Sequence, residues 1–326
     1  MDNRFRDSSI FRYYSDVNKK DIDWLWFPYI PYGKITLVEG DPGEGKSTFM
    51  LHIAALLTNG KPMPDGFSVP KPVKVIYQCS EDDISDTIKP RLTDAGADCD
   101  KVAYIVDDDG TLTLDDERIE MTIAQTGARL FILDPLQSFL VQDGDMHNAG
   151  RMRGLLGKLS VIAARHNCAI VLIGHMNKGS ANKNLYRGLG SIDIAAIARS
   201  ILMIIRDPNE PDNRYMIPIK SSLAPEGEAV GFRFDRSAGF QWLSGVPQRK
   251  DLNLPKSYNP FKHSEASDSI IVLLRDGPIP STEVFARSRE FNISERTLYT
   301  IKKELNILSF KENNMWYWKL PDIDEE

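Results

Sequence analysis

Gly40-Asp41-Pro42-Gly43-Glu44-Gly45-Lys46-Ser47 decides how this chain folds. The eight residues meet every fixed position of the phosphate-loop pattern. Upstream, Lys34 to Glu39 (KITLVE) alternates and predicts a strand; downstream, the apolar period of Thr48 to Leu57 predicts a helix. A surface glycine turn with a stray lysine would leave both flanks unexplained. Glycines let the backbone curl until its N–H groups face phosphate oxygens, and the helix N-terminus adds partial positive charge. Lys46 reaches the β- and γ-phosphates, and the Ser47 hydroxyl holds Mg²⁺. The expected ligand is therefore ATP with Mg²⁺, cradled by Gly40, Asp41, Pro42, Gly43, Glu44, Gly45, Lys46, Ser47 and Thr48.

Outward from the loop, strand and helix patterns alternate. Strands are predicted over Val73–Cys79, Val102–Val106, Arg129–Asp134, Ala169–Gly174, Ile201–Ile205 and Tyr215–Ile219. Helices are predicted over Asp86–Ala95, Ile119–Thr126, Met152–His166 and Ile192–Arg199. The alternation predicts an α/β fold with a mostly parallel sheet flanked by helices. Arg129–Asp134 is nearly continuous in apolar residues, as expected of a strand covered on both faces. The aromatic stretch around Trp24, Trp26, Phe27 and Tyr29 is expected to pack beneath the phosphate-loop strand, with stacking on adenine as the alternative.

The chain has 326 residues and a formal net charge of -6, so no global positive field announces nucleic-acid binding. A local basic path in an assembled ring stays compatible with that balance. Three widely spaced cysteines, Cys79, Cys99 and Cys168, give no zinc pattern and fit a reducing compartment. The polar N-terminus does not resemble a signal peptide, and no run reaches the ~20 apolar residues of a membrane span. A cytoplasmic protein with no membrane partner is expected.

Asp134 ends the most apolar strand, where a carboxylate needs a partner. A cation beside Ser47 is the economical one, which makes Asp134 a metal ligand; capping the next segment is the alternative. Glu81, in Cys79-Ser80-Glu81-Asp82-Asp83, is a candidate general base for the attacking water. By spacing alone, Ser80, Glu81 and Asp82 serve equally well as helix caps. His175 follows the strand Ala169–Gly174, where it either reads the γ-phosphate or satisfies a local hydrogen bond.

These four segments in this order, Gly40–Ser47, Ser80-Glu81-Asp82, Leu133-Asp134-Pro135 and Ile173–Lys178, resemble the RecA-like ATPase core. More narrowly they resemble the RepA-type hexameric helicases of plasmids and mobile elements, near the DnaB and RadA branches. The resemblance covers about residues 20 to 245. It implies Glu81 as catalytic glutamate and His175 as sensor. It also implies a hexameric ring with active sites between subunits, and a DNA-facing loop at Gly179–Gly190. In that loop Lys183 and Arg187 are the candidate nucleic-acid contacts, with Tyr186 able to stack on a base; a solvated flexible loop is the other reading. Lys220 sits where related ATPases carry a basic finger acting in trans, and Arg206 is its rival. Some relatives carry Lys-x-Arg there, whereas here the second position is Ser222.

The predicted organisation is an N-terminal arm over residues 1–20, the ATPase domain over 21–245, a linker over 246–267 and a small domain over 268–326. Three short helices and a terminal hairpin in the last part predict a winged-helix-like module. Its third helix runs from Glu295 to Leu305, with Trp316 and Trp318 on one face of the hairpin. The expected function is a Mg-dependent, DNA-stimulated motor ATPase, a replicative helicase of a mobile or plasmid-like element. Its expected partners are further copies of itself, single-stranded or forked DNA, and a replication-initiation or loading protein. The alternative is an ATP-switched DNA-binding regulator or loader that does not unwind. A small-molecule kinase is a third class that uses the same loop, but no substrate-pocket signature accompanies it.

Overall fold

The computed structural model describes residues 11, 13–107, 111–140, 149–174, 191–235, 239–246, 266, 269–275, 277–290, 293–305, 307–312 and 315–321. They belong to two compact units.

The first unit opens with a two-stranded ribbon, β1 (Trp24–Trp26) and β2 (Ile30–Pro31). The main sheet follows: β3 (Ile35–Glu39), β4 (Val75–Cys79), β5 (Val102–Ala103), β6 (Leu130–Asp134), β7 (Ala169–Ile173), β8 (Ser200–Arg206), β9 (Asn213–Ser221), β10 (Val230–Asp235) and β11 (Gly239–Trp242). Their order across the sheet is β11-β10-β9-β8-β3-β7-β6-β4-β5. From β8 to β5 the neighbours run parallel. Strands β9, β10 and β11 extend the other edge as an antiparallel meander.

The helices between strands are α1 (Lys46–Thr58), α2 (Lys89–Asp94), α3 (Glu117–Thr126), α4 (Ala149–His166) and α5 (Ser191–Ile197). Every residue of β6 and β7 is buried, because helices cover both faces. On one face Val75, Tyr77, Ile132 and Val171 pack against Phe49 and Ile53 of α1. Helix α4 lies against β3 and β7, and α5 against β3. The predicted α/β architecture is therefore the observed one.

Differences from the sequence reading have local causes. The helix predicted over Asp86–Ala95 divides into a wide turn at Ile84–Ile88 and then α2, whose first turn carries Pro90. Proline lacks an N–H, so it fits where a helix starts afresh rather than where one continues. The strand predicted over Val102–Val106 is paired only at Val102–Ala103. The ribbon and the β10–β11 hairpin were not anticipated. Of the four aromatics expected to pack beneath the phosphate-loop strand, Trp26 and Tyr29 are buried, along with Leu25 and Ile30, whereas Trp24 is half-buried and Phe27 is exposed. Trp26 lies 6.2 Å from the Phe49 ring and donates its indole N–H to Asp65 at 3.0 Å.

Taken by itself, the second unit has a three-stranded antiparallel sheet in the order β12-β14-β13. These are β12 (Ile279–Pro280), β13 (Leu308–Glu312) and β14 (Met315–Lys319). Residues 269–274 are helical, followed by α6 (Ser281–Glu290) and α7 (Glu295–Glu304). Ser294 caps α7 by accepting from the Thr297 N–H at 3.1 Å. A small core of Ile270, Leu274, Val284, Leu298, Ile301 and Trp318 holds the elements together. Trp318 is buried, with the Lys302 ammonium 4.1 Å from its ring centre, whereas Trp316, next to the Glu312–Met315 pair and away from the open end of the hairpin, is exposed. The two tryptophans therefore differ in burial although their spacing puts them on one side of the strand. The expected linker falls mainly outside the described residues.

Among the described residues no helix is long and apolar enough to cross a membrane.

Candidate nucleotide-binding site

Strand β3 ends at the sheet's C-terminal edge and hands the chain directly to the glycine loop. Gly43 and Gly45 hold φ values of 83° and 88°, a left-handed conformation that side chains with a Cβ resist. The Gly45 carbonyl then accepts from the Phe49 N–H at 2.8 Å, and α1 is under way. Lys46 is almost wholly buried and folds back across the loop. Its ammonium donates to the Gly40 carbonyl at 2.7 Å and the Asp41 carbonyl at 3.0 Å. Burial lowers its pKa from the ordinary lysine value, and the Asp134 carboxylate is the largest opposing influence. The ammonium is thus held at the mouth of the loop, with the Asp134 carboxylate acting against the effect of burial.

Asp134 is also buried. The register of β4 on β6 sets Cys79 opposite Asp134 and Tyr77 opposite Ile132. All four side chains therefore share the α1 face of the sheet. The Tyr77 hydroxyl donates to Asp134 Oδ2 at 2.5 Å, and Ser47 is its second hydrogen-bonding neighbour. The short turn at Leu136–Phe139 starts from Pro135 and has no side-chain cap at that position.

Among the described residues, no three or more His, Cys, Asp or Glu side chains form a group that could hold a metal. Mg²⁺ does not require one. It is commonly held by one or two protein oxygens, water and substrate phosphates. The Ser47 hydroxyl and the Asp134 carboxylate are hard oxygen donors of that kind, and their chemistry fits.

Glu81 lies just past the end of β4 and is exposed. The Ser80 N–H donates to the Asp134 carbonyl at 3.2 Å, tying the two strand ends together. Capping of the turn belongs to Asp83, which accepts from the Ser85 and Asp86 N–H groups at 2.7 and 3.0 Å. The Ser85 hydroxyl, and then those two N–H groups, hold the Asp83 carboxyl below the usual range. Asp82 pairs with Arg91 at 2.6 Å. The capping alternative for Ser80, Glu81 and Asp82 is thus filled by Asp83, which the sequence reading had passed over.

Both finger candidates are engaged within this chain. Arg206 donates to the Gly43 carbonyl at 2.8 Å and lies 3.7 Å from the Glu44 carboxylate. Lys220 is buried and donates to the Ala195 carbonyl of α5 at 2.7 Å. Burial, then the Arg199 charge, lowers its pKa from the ordinary lysine value. His175, Lys183 and Arg187 lie outside the described residues.

Two contributors were missed by sequence reading. Tyr77 belongs to no motif and becomes visible only through the β4–β6 register. Arg214 is buried against the loop, with its Cδ 3.2 Å from where a Cβ on Gly45 would stand. Its only sequence signal is a charge immediately before the apolar run Tyr215–Ile219.

A family model described as an AAA domain matches residues 6–181, more than half of the chain. The DNA repair protein RadA of Halalkalibacterium halodurans is 28% identical over 169 residues. That alignment takes in 51% of this chain and 33% of RadA, so the chain spans about a third of that relative's length.

Proposed function

The chain belongs to the AAA-domain family, whose architecture supports ATP binding and hydrolysis, and we propose that it is a Mg-dependent, DNA-stimulated motor ATPase. The observation that carries this reading is the buried Lys46 ammonium, bonded to the Gly40 and Asp41 carbonyls, with the buried Asp134 carboxylate as its main opposing charge. A phosphate chain laid on the loop meets a fixed cation, a helix N-terminus and two oxygen donors.

In the proposed reaction, Glu81 orients a water molecule towards the γ-phosphorus. The bond between that phosphorus and the β–γ bridging oxygen breaks, giving ADP and inorganic phosphate. Lys46 and the loop N–H groups hold the phosphates in line. Bound Mg²⁺, held by Ser47 and Asp134, would supply charge neutralisation on the transferring group. His175 as sensor, and a basic residue from a neighbouring copy, complete the scheme by resemblance to RepA-type enzymes. The finger remains Lys220 or Arg206, each requiring release from its present internal contact.

The motor reading extends to a hexameric replicative helicase of a mobile or plasmid-like element. It is supported by the order of the four motifs and by the similarity to RadA over about half the chain. Lys183 and Arg187 would line the DNA path, and a loading protein would deliver the ring. The organisation we propose is an arm at 1–20, the ATPase domain at 21–245, a linker at 246–267 and a winged-helix-like domain at 268–326.

A second reading is favoured by the small unit. Three helical segments and a three-stranded sheet, with Tyr299, Lys303, Lys311 and Trp316 exposed, suit an ATP-switched DNA-binding regulator or loader. ATPase rates with and without single-stranded DNA, paired with strand displacement on a forked duplex, separate the two. Stimulation with displacement supports the motor. ATP-dependent duplex binding without displacement supports the regulator. Indifference to all nucleic acid overturns both and returns the kinase class.

A further inference from the structure

Tyr77 is buried on the α1 face of the sheet, yet it ends in a polar group. Its ring packs in the same cluster as Ile132, Val75 and Phe49. Its hydroxyl leaves that cluster where two polar partners stand, Asp134 Oδ2 at 2.5 Å and the Ser47 side chain. A ring of this size could be supplied by phenylalanine without loss of packing. The oxygen therefore has its consequence at the two residues that would hold the metal.

Resting on the nucleotide reading above, the geometry points to Tyr77 as a positioning residue for the Mg²⁺ site, one that fixes Asp134 and Ser47 before metal and nucleotide arrive. A carboxylate at a strand end can rotate about its terminal torsion. Donation from Tyr77 commits Oδ2 and fixes the carboxylate plane, leaving Oδ1 as the oxygen for the metal's shell. Because the same hydroxyl neighbours Ser47, it sets the spacing between the two donors. Outer partners of metal ligands act in this way, and their loss typically costs metal affinity about 10–100-fold.

The test is Tyr77→Phe in the full-length protein, read by nucleotide affinity rather than turnover. ADP affinity is measured by calorimetry in excess Mg²⁺ and again in EDTA, and Mn²⁺ binding to the ADP complex is followed by paramagnetic resonance. The expected result is Mn²⁺ affinity about ten-fold weaker and a smaller gain of ADP affinity from Mg²⁺, with ADP affinity in EDTA unchanged. The same substitution in an Asp134→Asn background should add nothing, since Tyr77 acts through that carboxylate. Wild-type metal dependence in Tyr77→Phe overturns the inference, as does an equal loss with and without metal, which is the mark of a packing role. If the wild-type protein itself binds no ADP, the nucleotide reading fails instead, so the two failures are distinct.

Discussion

Arg206 and Arg214 are direct cross-strand partners in the antiparallel β8–β9 pair, and both lie against the phosphate loop of their own chain. Like charges opposite each other are unfavourable in a sheet. Burial, and then the Arg206 cation, lowers the Arg214 pKa from the ordinary arginine value. Glu44, from the middle of the loop, lies within reach of both guanidinium groups, and they oppose the rise in its pKa that burial causes. The loop is therefore braced from the β8–β9 side while Lys46 closes it from within.

This bracing predicts a cis role for Arg206. Arg206→Ala removes one charged hydrogen bond at a partly exposed site, about 1 kcal/mol or roughly five-fold in affinity. ATP and ADP should suffer alike. Mixing Arg206→Ala with Lys46→Ala subunits should restore no activity, because every copy then carries a damaged loop. Recovery of activity in the mixture would show that Arg206 works on a neighbour.

Lys46 and Glu81 should separate binding from turnover. Lys46→Ala should weaken ATP by about 100-fold, since charge-assisted bonds to phosphate are worth about 1.5–3 kcal/mol each. Glu81→Gln should keep ATP affinity and lose about 100-fold or more in hydrolysis. Calorimetry with a non-hydrolysable analogue and a phosphate-release assay measure the two. Normal turnover in Glu81→Gln would remove it as the base.

How much of this site could be read in advance follows the range of each interaction. The loop and Asp134 are legible because their chemistry is local: a glycine pattern between a strand and a helix, and a carboxylate ending an apolar run. Tyr77 was not legible. Its importance comes from the β4–β6 register and from the length of a tyrosine ring, neither of which a single segment encodes. Asp83 was passed over because a cluster of acids offers several caps, and only backbone geometry selects one. Arg214 depends on β9 pairing with β8 rather than with another strand. The β10–β11 hairpin went unread because only Val230–Phe232 is well buried, so the hydrophobic signal is brief.

Glu39, the last residue of β3, gives a pH signature. Burial pushes its carboxyl up to about 7, with Lys46 opposing. The folded state thus holds the proton more tightly than the unfolded chain, whose carboxyl titrates near 4.5. The associated stability is fully present below the unfolded value and is lost as pH rises towards 7. Glu39→Gln should flatten the fall in denaturation midpoint between about pH 5 and 7. An unchanged pH profile in the variant would place that fall on other groups.

Gly40 and Gly43 are both loop glycines, yet they should fail for different reasons. A Cβ on Gly40 would stand 2.5 Å from the Ile204 carbonyl oxygen, which belongs to the backbone of β8 and cannot turn aside. Alanine there must push the loop off the sheet, and the Gly40 carbonyl that holds Lys46 moves with it. Around Gly43 a Cβ meets nothing within 4 Å, and the obstacle is its φ of 83°. That conformation costs an alanine about 1–2 kcal/mol and leaves the Lys46 bonds in place. Gly40→Ala should therefore lower thermal stability at least as much as Gly43→Ala, by about 1–3 kcal/mol of overpacking strain. It should also lose most ADP affinity, whereas Gly43→Ala should retain much of it. Thermal denaturation and ADP calorimetry on the two variants make the comparison. Full ADP affinity in Gly40→Ala would mean that the loop tolerates displacement from β8, and that close approach is not what the first glycine provides.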